Sequence, residues 1–212
     1  MISYTRTNQE PSYSIKIKGK FIYELISGLI DKMMSLIALI IALPLILLIV
    51  LAIKLEDGGS ILYSQTRLGK NGRLFKIYKF RSMQIDAEKN GAQWAQAKDN
   101  RTTKTGKFIR KTRLDEIPQL YNILIGDMKL IGPRPERPEL AEKFYKALPE
   151  FVNRLAVKPG LTGWAQVNGG YDITPTEKLV FDIEYIENRG LFLDLKIILK
   201  TIKVVLTGDG AR

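Results

Sequence analysis

Arg110 to Pro138 reads RKTRLDEIPQLYNILIGDMKLIGPRPERP. Two adjacent carboxylates, Asp115 and Glu116, precede an apolar pattern in which Ile117, Leu120, Tyr121 and Leu124 recur at helical spacing. The stretch therefore predicts a helix over Asp115–Asp127. Pro118 falls in its first turn, where a missing N–H is tolerated, and Gly126 or Gly132 can end the local structure. A helix start favours an anion, because free N–H groups and the positive dipole end point at it. Asp115 is then expected to be ionised and available as a nucleophile. The same pair also fits an ordinary N-terminal cap, which spacing alone favours; the rest of the chain turns the balance. Beyond the helix, Pro133-Arg134-Pro135-Glu136-Arg137-Pro138 forms a stiff loop that carries arginines between prolines.

The rest of the composition narrows the chemistry. The 212 residues suffice for one domain, or a domain with an appendage. Lys and Arg number 33 against 22 Asp and Glu, a formal charge of +11, which calls for an anionic partner: nucleic acid, anionic lipid or a phosphorylated substrate. With no Cys, disulfides and thiolate metal sites are excluded; with no His, any acid, base or nucleophile must be a carboxylate, Lys, Tyr, Ser or Thr. A metal would take oxygen ligands, which favours Mg²⁺ or a similar hard ion.

Met33 to Ile53 is a run of 21 residues without charge, with Ser35 its one hydroxyl. As a helix it reaches ~31 Å, about one hydrocarbon thickness. The run is too long and too far from Met1 for a signal peptide; a buried soluble helix is the plain alternative. Pro44 divides it into halves of eleven and nine residues, each roughly 15 Å long. Basic residues flank both ends: Lys16, Lys18, Lys20 and Lys32 before, Lys54, Arg67, Lys70 and Arg73 after. A single pass would send one basic flank across the membrane, against the positive-inside tendency. A re-entrant helix that bends at Pro44 keeps both on the cytoplasmic side, with a partner expected for the carbonyl freed near Ala38–Ile41.

Around these segments the chain alternates short elements. Residues 1–20 read as a loose arm, with Ser12–Ile17 extended, and Phe21–Lys32 as an approach helix. Ile61–Thr66 and Leu74–Phe80 read as strands joined by the turn Gly69-Lys70-Asn71-Gly72. Lys76, Lys79 and Arg81 on this hairpin suit either edge protection or an anion site. Asp86–Lys98 reads as a polar helix, Asp99–Lys107 as a basic loop, and Glu139–Ala147 and Thr176–Asn188 as amphipathic helices. Lys158–Trp164 is turn-rich and continues to Asn168-Gly169-Gly170. In Asp194–Leu206, Leu195, Ile198, Leu199, Ile202 and Val205 form an apolar face and Lys196, Lys200 and Lys203 a basic one. That pattern suits a membrane surface or a core equally.

From about Leu29 to Leu206 the chain resembles the monotopic polyprenyl-phosphate phosphoglycosyl transferases, the bacterial sugar transferases. The resemblance rests on the apolar segment with a central proline; on Gln65, Arg67 and Gly69; on FKIYKFRSM from Phe75; on Asp99, Arg101, Thr103 and Gly106; and on Arg110 with LDEIPQL from Leu114. GDM from Gly126, IGPRP from Ile131, KPGLTG from Lys158, AQVNG from Ala165 and LDLK from Leu193 complete it. The family commonly has Ser before the membrane proline, where this chain has Leu43.

The resemblance implies an α/β fold, mainly helical with a small β-hairpin: a membrane-associated catalytic domain with an N-terminal re-entrant helix broken at Pro44. The boundaries would be 1–32 for the arm and approach helix, 33–53 for the membrane helix and 54–212 for the cytosolic catalytic domain. Larger relatives carry spanning helices upstream, so this chain resembles the compact form or the catalytic part. The implied reaction moves a sugar-1-phosphate from a UDP-sugar to undecaprenyl phosphate and releases UMP, at the cytoplasmic face of the bacterial inner membrane. Asp115 would be the nucleophile, Glu116 its partner, and both would hold Mg²⁺. Arg134 and Lys79 would grip phosphate, and Arg110 would orient a carboxylate with Asp194 as its partner. For Arg134, Arg110 and Lys79 a surface ion pair is the alternative, and for Arg137 it is the favoured one. The Gly169–Asp172 region resembles hexose-using relatives, which points to galactose or glucose, with an N-acetylated sugar left open. Anionic lipid would be a partner and nucleic acid would not; homo-oligomerisation is left open. A basic, membrane-docked adaptor without catalysis would satisfy the composition alone, but it needs no particular carboxylate.

Overall fold

The structure, a computed structural model, describes Ile15, residues 19–85, Ala87, residues 99–169 and residues 173–207. The expected extended arm, the polar helix of Asp86–Lys98 and the Gly170–Asp172 turn lie outside these residues, save for Ile15 and Ala87. Chain order is α1 (Phe21–Asp57), β1 (Leu62–Leu68), β2 (Leu74–Phe80), α2 (Lys104–Lys111), α3 (Gln119–Ile125), β3 (Lys129–Ile131), α4 (Pro138–Ala147), β4 (Gly160–Thr162), α5 (Trp164–Gly169), α6 (Pro175–Asn188) and α7 (Leu191–Thr207). It is a mainly helical arrangement with two small sheets.

The hairpin matches its turn chemistry. Asn71 and Gly72 take positive φ at the tip, where Asn and Gly carry the smallest steric penalty, and β1 and β2 pair antiparallel from Leu62–Phe80 to Leu68–Leu74. Its inner face and α3 share a core of Phe75, Ile77, Leu120, Ile123 and Met128. A second sheet was not expected: β3 and β4 pair in parallel, Lys129 with Gly160 and Ile131 with Thr162. Here Gly160 is required, since a Cβ on it would lie 2.0 Å from the Gly132 nitrogen.

The first helix spans the expected approach helix and apolar run without a break. It is one continuous element of 37 residues, about 55 Å long, and it does not end at Pro44. A proline deletes one N–H and displaces one carbonyl, which bends a helix without ending it when the turns on both sides are packed. Both sides are packed: Ser35 is buried and Ala38 and Leu39 meet the Phe75 cluster, while Ile49 and Ile53 join Phe80 and Ile109. Each of these two isoleucines contributes about 1.5–3 kcal/mol by leaving water. The opposite faces of α1 stay open, with Leu29, Met33, Ile37, Ile40, Leu47, Leu48 and Leu51 exposed.

Both ends of α1 are tied to the same domain. Near its start, the Tyr23 hydroxyl donates to Asp194 at 2.7 Å and Lys129 donates to Ser27 at 2.6 Å. At its end, Glu56 accepts from the backbone N–H groups of Lys104 and Thr105 at 2.6 and 3.0 Å, capping α2, and Asp57 pairs with Arg81. The apolar face of α7 is also open: Leu195, Leu199, Ile202 and Val205 are exposed, with Ile197 alone of its aliphatic residues fully buried. The expected apolar face is therefore not the one turned to the core, which α7 meets through Leu193, Asp194 and Ile197.

Candidate active site

The carboxylate pair lies in a 3-10 turn, Leu114–Glu116, rather than in an α-helix. Arg113 enters that turn in left-handed conformation, and α3 begins only at Gln119 behind Pro118. The inward face is also rotated from the expected one: Leu120 and Ile123 are buried with Gln119 and Asn122, whereas Tyr121 is exposed. The expected helix-start effect on Asp115 is thus replaced by a side-chain environment. Burial, together with the neighbouring Glu116, raises the Asp115 carboxyl above its ordinary pKa; the Lys79 ammonium 3.5 Å away opposes the rise. Glu116 behaves oppositely. Although burial opposes its charge, Arg134 at 2.5 Å and Lys79 at 2.7 Å hold its carboxyl well below the usual range. Glu116 takes both cations on its Oε1, whereas Asp115 has the single, longer contact to Lys79 and is left with more acceptor capacity.

Lys79 reaches the pair because β2 is fixed against α3. The fully buried Asn122 accepts from the Tyr78 N–H at 3.1 Å and donates to the Lys76 carbonyl at 2.7 Å. Its amide satisfies the free edge of the strand from inside the core.

Arg134 is held by its loop. Prolines at 133, 135 and 138 leave carbonyls without N–H donors of their own, and each exposed acceptor finds a partner. Gly160 N–H donates to the Pro133 carbonyl at 3.0 Å, Arg154 to that of Arg134 at 2.8 Å, Arg67 to that of Pro135 at 3.0 Å, and Leu68 N–H to that of Glu136 at 3.0 Å. Blocks that are distant in the chain therefore converge here, with the second sheet, β1 and the 149–156 turn all holding this loop. Glu136 is buried between Lys178 and Arg154, and these cations hold its carboxyl down at about 2 despite burial. Arg154 also reaches the buried Asp182 at 2.5 Å.

Asp115, Lys79, Arg110, Arg134 and Arg137 all line one cavity of ≈ 680 Å³. Groups singled out from separate parts of the sequence thus share one space. Arg67 and Lys178 stand on the same walls, and sequence reasoning gave neither a place in the site. Arg137 pairs with Glu139 at 3.7 Å, as a surface ion pair would, yet it faces the cavity as well. Among the described residues no three His, Cys, Asp or Glu side chains gather as a metal cage. Asp115 and Glu116 still suit Mg²⁺, which takes one or two carboxylates and completes its shell with phosphate oxygens and water.

The expected Arg110–Asp194 pair is not formed. Asp194 accepts from Tyr23 at 2.7 Å and from Tyr185 at 3.1 Å, at the junction of α1, α6 and α7. Arg110 instead lines the cavity, where its charge acts on Asp115. Tyrosine hydroxyls satisfy the buried carboxylate there without a guanidinium.

The profile of the bacterial sugar transferase family matches residues 22–208. An Aeromonas hydrophila UDP-N-acetylgalactosamine–undecaprenyl-phosphate N-acetylgalactosaminephosphotransferase is 47% identical over 92% of this chain and 48% of its own length. An Escherichia coli UDP-glucose:undecaprenyl-phosphate glucose-1-phosphate transferase is 36% identical over 91% of this chain and 42% of its own. A Salmonella typhimurium undecaprenyl-phosphate galactose phosphotransferase is 39% identical over 85% and 40%. The chain thus spans less than half the length of these three relatives, and they are named for three different sugars. With a match that takes in the hairpin, the carboxylate turn and the arginine loop, the chain belongs to the bacterial sugar transferase family.

Proposed function

We propose that this chain transfers a sugar-1-phosphate from a UDP-sugar to undecaprenyl phosphate through a phosphosugar-aspartyl intermediate, and releases UMP. The observation that carries the reading is Asp115: a buried carboxylate on the wall of a cationic cavity, beside a second carboxylate that already holds Lys79 and Arg134. In the first step an Asp115 oxygen attacks the β-phosphorus. The bond to the bridging oxygen breaks and UMP leaves with the electron pair. In the second step the lipid phosphate attacks the same phosphorus and the carboxylate leaves. Neither displacement demands a proton relay, which accords with a chain that has no His. Lys79 and Arg134 offset the charge that builds on the phosphoryl oxygens. Mg²⁺, held by Asp115 and Glu116, would supply further charge neutralisation on the diphosphate.

The chain works from one side of the membrane in this reading, at the cytoplasmic face of the bacterial inner membrane. Two facts support it: both ends of α1 are bonded to one domain, and the open faces of α1 and α7 are apolar. A helix crossing the bilayer could not return both ends to one surface domain. The acceptor then meets Asp115 at headgroup depth, and anionic lipid is drawn by the basic surface. The donor is a UDP-hexose or its N-acetylated counterpart, as the relatives' names suggest.

The test is UMP release from UDP-glucose, UDP-galactose and their N-acetylated forms with undecaprenyl phosphate, followed by mass mapping of a trapped adduct. One donor should give release and a phosphosugar on Asp115. Release without any adduct there during turnover would sink the covalent reading. Cysteine replacements at Ser3 and Ser60 should both be labelled from the cytoplasmic side; labelling from opposite sides would end the one-sided placement.

A further inference from the structure

We propose that Arg67 and Arg134 form one phosphate subsite that is used twice in each cycle, first by the departing α-phosphate of the nucleotide and then by the incoming lipid phosphate. This rests on the transferase reading above and assigns a role to Arg67.

Tyr63, Gln65 and Arg67 alternate along β1 and line the cavity on one face. Lys79 lies opposite Tyr63, so the row begins beside the carboxylate pair and ends at Arg67 about 13 Å along the strand. The Arg67 side chain reaches the Pro135 loop and Gln65. One Nη donates to the Pro135 carbonyl at 3.0 Å, the other to the Gln65 side chain, and its buried Nε has no hydrogen-bond partner. No carboxylate among the described residues forms an ion pair with it. Glu136, the acidic group whose charge acts on it, is bonded to Lys178 and Arg154. Burial and the like charges of Arg134 and Arg137 bring the guanidinium down to about 10. A guanidinium with a buried, unpaired Nε and a counter-ion shared with two other cations has unspent donor capacity, and phosphate fits its fork.

Stereochemistry then fixes which phosphates. Attacking and leaving oxygens lie roughly in line at phosphorus. Asp115 attacks opposite the departing α-phosphate. The lipid phosphate must afterwards attack opposite Asp115, that is, from the place the α-phosphate left. Pro135, which anchors Arg67, directly follows Arg134, and Arg134 touches Glu116. Arg67 and Arg134 line the same cavity as Asp115 and are close enough for their charges to act on each other, so together they can take a phosphate that enters from that side.

The experiment compares wild type, Arg67→Met and Arg67→Lys. The trapped phosphosugar-enzyme is chased with UMP, which reverses the first step, or with undecaprenyl phosphate, which completes the second. Half-saturation should rise about 10- to 100-fold for both chasers in Arg67→Met, the worth of one charge-assisted contact, with partial recovery in Arg67→Lys. A change for one chaser alone would overturn the shared subsite. Equilibrium binding of UMP and of uridine, which needs no turnover, separates this from failure of the transferase reading. UMP should weaken and uridine should not. Equal weakening of both, with a matching fall in melting temperature, would instead make Arg67 a brace for the Pro135 loop.

Discussion

Asp115 and Asp194 are equally exposed, at 8% each, and burial raises the pKa of both, yet their surroundings divide them. Asp194 is closed off: Tyr23 and Tyr185 occupy its two oxygens, and it lines no part of the cavity. Asp115 opens onto the cavity, and its one ion pair among the described residues is Lys79 at 3.5 Å, longer than an optimal contact. A nucleophile needs unspent lone pairs and a place for the electrophile; a tether needs neither. Burial therefore does not separate two such carboxylates, whereas the engagement of their oxygens does.

Substitution of each carboxylate is the strongest way to break this contrast. Asp115→Asn should lower UMP release by at least about 10³-fold, ~4 kcal/mol at 1.36 kcal/mol per decade, with the melting temperature held or raised, because a destabilising buried charge is gone. Asp194→Asn should do the reverse: it should lose on the order of 1–3 kcal/mol of stability while still forming the adduct. Adduct loss in a folded Asp194→Asn protein would restore a chemical role to that residue and end the distinction. Next in size is Arg134→Met, expected to slow adduct formation by about 10²-fold, as removal of one transition-state donor does. Arg134→Lys should recover only part of this, since an ammonium lacks the bidentate fork.

A pH profile sharpens the comparison further. In the proposed mechanism Asp115 attacks as the carboxylate, so adduct formation should fall as pH drops through its raised pKa, and the acid limb should lie above that of an ordinary aspartate. Glu116→Gln removes one of the groups that raise that pKa and frees Lys79 for Asp115. Both changes favour the charged form, so the limb should move to lower pH even though the maximum rate falls. A shift toward higher pH would mean that Glu116 depresses the Asp115 pKa, contrary to the geometry. Asp194→Asn should leave the limb where it is.

How much of this was legible in the sequence depends on the range of the interaction. The hairpin was readable because its turn and strand alternation are local, and the arginine loop because prolines announce it. The α2 helix was missed: Asp99–Lys107 looks like a polar loop, and the cap in which Thr103 accepts from Gly106 N–H at 2.9 Å gives it only a short-range signal. The β3–β4 sheet could not be seen, since it joins two three-residue strands across the intervening α4. The family resemblance pairs Asp194 with Arg110. The real partner of Asp194, Tyr23, stands 171 residues away in a segment that local reading treats as a simple approach helix. The apolar face of α7 was visible in its spacing, but only the packing of α5 and α6 around it determines that the face points outward. Arg67 lay inside a recognised block, but nothing local reveals that its Nε is buried without a partner.

The smallest effect tests the tether from the membrane side. Tyr23→Phe keeps the ring that lies under the Lys129 ammonium, 4.9 Å from it, and deletes only the hydroxyl that reaches Asp194 at 2.7 Å. Asp194 retains Tyr185, so the loss should be close to that of one hydrogen bond to a charged group, about 1.5–3 kcal/mol, or several degrees in melting temperature for a domain of this size. Adduct formation in detergent should be unchanged, because nothing at Asp115 moves. In vesicles, where the proposed placement has α1 hold the domain at a fixed depth, transfer to undecaprenyl phosphate should fall modestly while reversal by soluble UMP should not. If both reactions fell together, the junction of α1 and α7 would be coupled to the chemistry itself, and Asp194 would stand closer to Asp115 in function than its contacts imply.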